Sequence, residues 1–117
     1  MRAFVLALAL LALPAHAREW TDDEVAWGTA AAVAHVIDWG QTRYIATHPE
    51  RFRELNPMIG EHPSVGGVNR YFLASGAIMF AAAHYLPQYR STLLKVWFAV
   101  GVGMTGRNAA LGIRMEF

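Results

Sequence analysis

The chain has 117 residues, 55% of them hydrophobic and 16% charged, with a formal net charge of +1 and no cysteine. That length makes one domain, and a near-neutral balance with scattered Lys and Arg argues against a nucleic-acid partner. The absence of Cys excludes a disulfide framework, a thiolate metal site and a cysteine nucleophile, while a charged fraction well below the roughly 25% of an average soluble domain points to lipid as solvent.

The N-terminus has the form of a secretory signal peptide over residues 1–17. Arg2 supplies a positive n-region, Ala3 to Leu13 form an unbroken apolar run, Pro14 ends it, and Ala15-His16-Ala17 fits the A-x-A cleavage pattern. The run is short for a spanning helix of about 20 residues. Left uncleaved, it would be a fourth, N-terminal helix.

The first helix is expected over about 22–46, capped by Thr21 or Asp22, with Asp22, Asp23 and Glu24 set against the N-terminal dipole. Pro49 ends it, and a polar connector runs from Thr47 to Pro63 with turn signals at Asn56-Pro57 and Gly60. Ser64 caps a second helix over 64–86. The short link from Pro87 to Arg90 forces an antiparallel hairpin, and Ser91 or Thr92 opens a third helix over 91–115.

Three apolar stretches of roughly spanning length predict an all-α integral-membrane bundle of three transmembrane helices, with residues 18–117 as the membrane domain. A secreted N-terminus makes the protein multi-pass in a bacterial inner membrane, with a periplasmic N-terminus after cleavage. Arg43, Arg51 and Arg53 then face the cytoplasm, in weak agreement with the positive-inside rule. A secreted soluble bundle is the alternative, and it fits three such stretches poorly. Small residues four apart, Gly28 with Ala32, Ala99 with Gly103 and Gly106 with Ala110, are spaced for close helix contact and oligomerisation.

Charges inside the apolar stretches mark a polar site. His35, Asp38 and Thr42 share one helical face, with Gln41 beside it. Counted from inner ends near Ala46 and Met115, Asp38 and Arg107 each lie about 12 Å deep at 1.5 Å per residue. Asn69 and Asn108 complete a cluster of Asp38, Gln41, Thr42, Asn69, Arg107 and Asn108 around an Asp38–Arg107 pair. The guanidinium's other route is to snorkel to the interface. A metal site of His35, Asp38 and His84 is disfavoured, because His84 lies some 13 Å away along the axis. No cofactor motif or catalytic signature is present.

The runs Asp38-Trp39-Gly40-Gln41-Thr42-Arg43, Glu54-Leu55-Asn56-Pro57-Met58-Ile59-Gly60, His62-Pro63-Ser64 and Val68-Asn69 resemble a group of small uncharacterised membrane proteins of tailed phages, prophages and related bacterial genomes. That group has a D-W-x-Q-T-R stripe, an E-x-N-P-x-(I/L)-G connector and a P-S helix start. The resemblance covers about Asp38 to Arg90. It implies a bacterial or phage inner-membrane setting and singles out Asp38, Gln41, Thr42 and Arg43 on the first helix, the connector motif of Glu54, Asn56, Pro57, Gly60 and Pro63, and then Ser64 and Asn69 at the second helix. Physically, Glu54 and Asn56 suit backbone bonds within it, and Arg43 is placed to pair with Glu54 or Glu61.

The function expected is that of a small non-enzymatic inner-membrane protein of structural or interaction type, without cofactor. Its partners would be the lipid bilayer and a second copy or another membrane protein. The alternatives are an oligomeric membrane enzyme or proton-coupled carrier using Asp38, and a holin-like pore.

Overall fold

The computed structural model describes residues 18–117, so the signal-peptide reading of residues 1–17 lies outside the described residues. Three helices follow one another: α1 (Asp22–Thr47), α2 (Val65–Tyr85) and α3 (Arg90–Ala110). The ends follow from local chemistry. The Thr21 hydroxyl accepts from the Glu24 amide at 3.2 Å and the Glu24 carboxylate accepts from the Thr21 amide at 3.0 Å, a reciprocal capping box on α1. The Ser64 hydroxyl accepts from the Gly67 amide at 3.0 Å and starts α2.

The end of α3 differs from the expectation. The Ile113 amide donates to the Asn108 carbonyl and the Gly112 amide to the Ala109 carbonyl, with Gly112 at φ 79°. This is a Schellman stop, in which glycine takes the left-handed conformation at no steric cost. The helix therefore closes at Ala110, short of Met115. Residues 111–117 return across α1, where the Glu116 amide donates to the Gly40 carbonyl at 3.0 Å and Ile113 is buried.

Paired contacts give the helix directions. Gly28 meets Leu94, Ala34 meets Gly101, and Gln41 meets Asn108, so α1 and α3 run parallel in near-constant register. Trp39 meets Asn69, His35 meets Phe72, and Trp20 meets His84, so α2 runs antiparallel to α1. Ala34 Cβ sits 2.9 Å from where a Cβ on Gly101 would be, so only glycine permits this α1–α3 approach. The core is made of Ala31, Ala34, Ile45, Val68, Phe72, Ala83, Leu94 and Ile113.

No helix among the described residues is long and apolar enough to cross a membrane. This overturns the expected bundle of transmembrane helices; the described residues form a three-helix bundle of another kind. The physical reason is composition within each helix. α1 carries three acids in its first turn plus Asp38 and Arg43; α2 is apolar only between Arg70 and His84; α3 holds Arg90, Lys95, Arg107 and Asn108. Much of the remaining apolar sequence is Ala and Gly, which gain far less from lipid than Leu, Ile or Phe.

Candidate functional site

The three helix pairs do not close equally. α1 packs most extensively on α3, while α2 and α3 touch least. A cleft of about 450 Å³ opens among them. Tyr71, Phe72 and Met79 of α2 and Trp97, Val100 and Met104 of α3 give it apolar and aromatic walls. His35, Asp38 and Thr42 line it from α1, and connector residues 54–59 line it beside them.

Each polar wall group has an identifiable anchor. The His35 Nε2 lies 2.8 Å from the Phe72 carbonyl, which only accepts, so Nε2 carries the proton of this bond. The ring reaches the α2 backbone beside Gly76, where a Cβ would lie 3.1 Å from Nε2. Glu54 is 6% exposed, and its Oε1 accepts from the Leu55 and Asn56 amides at 3.0 and 2.9 Å. Asn56 turns the chain: its side chain accepts from the Met58 amide and its carbonyl from the Ile59 and Gly60 amides, with Gly60 at φ 82°. Pro57 lines the cleft at this turn, and Pro63 is buried ahead of Ser64.

Asp38 is the least satisfied of these groups. Its bond from the Thr42 hydroxyl is long, at 3.5 Å. Burial first, and then the nearby Glu54 carboxylate, push the Asp38 carboxyl up to about 6, against the opposing effect of Thr42. No protein family model, no curated protein and no solved structure matches this chain.

The expected six-residue cluster is divided among separate contacts. Asp38 and Thr42 stay together at the cleft. Gln41 and Asn108 are buried and bonded to each other at 3.2 Å, with Gln41 also donating to the Thr105 carbonyl. Asn69 accepts from Trp39 at 2.9 Å and from Arg43 at 2.7 Å.

The Asp38–Arg107 pair does not form. Among the described residues the ion pairs are Arg18–Glu24 and Arg90–Glu24, and Arg107 is exposed. A helix running to Met115 would put Arg107 level with Asp38, but α3 stops at Ala110. Arg107 then lies in the last turn, where a cation suits the helix dipole. The register that brings Asn108 onto Gln41 also turns its neighbour away by about 100°. The expected pairing of Arg43 with Glu54 or Glu61 is likewise replaced: Arg43 donates to Asn69 and to the Glu116 carbonyl.

Sequence reasoning misses Arg90, which it treats only as the end of the short link from Pro87. Its side chain is 0% exposed. It donates to the Ala83 carbonyl at 2.7 Å and to the His84 carbonyl at 2.9 Å, satisfying the open end of α2. It also reaches the Arg18 carbonyl at 3.1 Å and Glu24 at 3.3 Å, with its guanidinium 4.8 Å from the Trp20 ring centre. The Arg18 guanidinium, then the Thr21 amide and Arg90, hold the Glu24 carboxyl down to about 2. One signal was legible: an arginine at the start of a helix, unfavourable against the dipole, needs another employment.

Proposed function

We propose that this protein is a small non-enzymatic helical binding protein whose cleft takes one small, largely apolar guest. The cleft itself carries the reading. At about 450 Å³, with aromatic and aliphatic walls and a few polar groups, it matches small-molecule sites of about 300–1,000 Å³. Binding rather than turnover is supported by the work the polar groups already do. His35 joins α1 to α2, and Glu54 holds two amides of the connector.

Titration with Nile red, a neutral apolar fluorophore, tests this. Saturable binding of one dye per chain is expected. Ser75→Trp, on the cleft wall, is expected to abolish it, whereas Val102→Trp, exposed and outside the lining, leaves it unchanged. Dye uptake that does not saturate, or that ignores Ser75→Trp, refutes the reading.

An enzyme using Asp38 as proton donor and acceptor is the second reading, favoured by the upward shift of that carboxyl to about 6. It requires that Asp38→Asn abolish turnover of a bound compound while leaving its affinity in place.

A further inference from the structure

Resting on the binding reading above, we infer that the guest is a small amine with an apolar body, its ammonium group set between the carboxylates of Asp38 and Glu54.

The charges around the cleft are one-sided. The titratable groups lining it are His35 and Asp38 from α1, Glu54 from the connector and Tyr71 from α2; α3 contributes none. Neither carboxylate has a Lys, Arg or His within ion-pair distance among the described residues. Glu54 is more than nine-tenths buried, and only its Oε1 is engaged; its Oε2 accepts no hydrogen bond among the described residues. Asp38 has one long bond from a hydroxyl. The Glu54 carboxylate lies close enough to Asp38 to disfavour its ionisation, and two acids at the edge of an apolar cleft are a standing electrostatic cost. A monocation relieves it. An anion would add to it, and a neutral guest would leave it in place.

The walls suit the rest of such a molecule. Tyr71, Phe72 and Trp97 present aromatic rings, which favour a neighbouring cation as well as an apolar body. Met79 and Met104 add adaptable apolar surface. Protonation of Asp38 removes one of the two negative charges, so capture of the amine weakens in acid.

The test uses three probes of one shape, 4-phenylbutylamine, 4-phenylbutanol and 4-phenylbutyrate, titrated into the full chain at pH 7.5 by calorimetry. The amine is expected to bind at least about tenfold more tightly than the alcohol, as befits a partly desolvated charge contact, and the carboxylate is expected not to bind. Asp38→Asn is expected to erase the amine's advantage while leaving the alcohol's affinity unchanged. Glu54→Gln keeps an oxygen for the Leu55 and Asn56 amides and is expected to reduce the same advantage. For the wild type, going from pH 7.5 to pH 5 should weaken the amine about tenfold, with Asp38 mostly protonated below about 6.

Lysine presented as Nα-acetyl-lysine methylamide has the ammonium but no aromatic body. It is expected to bind at least about tenfold more weakly than phenylbutylamine, since apolar burial supplies much of the affinity. Equal binding would overturn the apolar-bodied ligand. Alcohol and amine binding alike, or an amine preference that survives Asp38→Asn, overturns this inference and leaves the binding reading standing. Failure of all the probes and of Nile red brings both down.

Discussion

Two carboxylates in this bundle respond to opposite influences. Asp38 sits at an apolar cleft near a second acid and titrates at about 6, against an ordinary 3.8. Its folded pKa lies above its unfolded one, so its contribution to stability is complete below about pH 4 and is lost as pH rises through about 6. By the usual conversion the loss is up to about 3 kcal/mol. Asp38→Asn is therefore expected to stabilise the protein at pH 7.5 and to make little difference at pH 3.5, read from urea denaturation at both. Arg90 is the opposite kind of residue, a buried cation whose guanidinium nitrogens each donate a hydrogen bond. Arg90→Lys keeps the charge but not the fork that spans two carbonyls and a carboxylate. Losing the partners of the Ala83 and His84 carbonyls costs on the order of 2–4 kcal/mol, measurable in the same denaturation assay.

Helix packing turns on which small residues lie at a crossing. Gly101 faces Ala34 at a separation no Cβ tolerates, while nothing lies within 4 Å of a Cβ placed on Gly103 or Gly106. One substitution should thus have opposite signs within one helix. Gly101→Ala is expected to push α1 from α3 and destabilise by about 1–3 kcal/mol, the usual range for overpacking. Gly103→Ala is expected to stabilise by up to about 1 kcal/mol, through helix propensity alone. Thermal melts of the two variants beside the wild type check both. Sequence spacing singled out Gly103 and Gly106, because a four-residue repeat is visible in one chain. The crossing chose Gly101, because only the register with α1 says which face of α3 is inward. The connector was more legible: the Glu54, Asn56, Gly60 and Ser64 contacts are local, made within a few residues.

For the molecule as a whole, the opposing shifts place the stability maximum on the acid side of neutrality. Glu24 titrates at about 2, below its ordinary 4.5, so its contribution is present above about pH 4.5 and is lost as pH falls toward 2. Asp38 removes stability over the interval above about 4. The melting temperature is expected to peak between about pH 4 and 6 and to fall on both flanks; Asp38→Asn should flatten the neutral flank and leave the acid one.

From the sequence alone came the three helices, their order, the Ser64 cap, a cap at Thr21 or Asp22 and the turns of the connector, since each depends on residues near one another in the chain. Tertiary structure alone decided that Asn108 and not Arg107 faces Gln41, that Arg90 is buried, and that Asp38 opens on a cleft beside Glu54. The expectation of transmembrane helices failed for the same physical reason. An apolar stretch says that a surface will be hidden, and whether lipid or another helix hides it depends on how apolar each helix is and on what the others present.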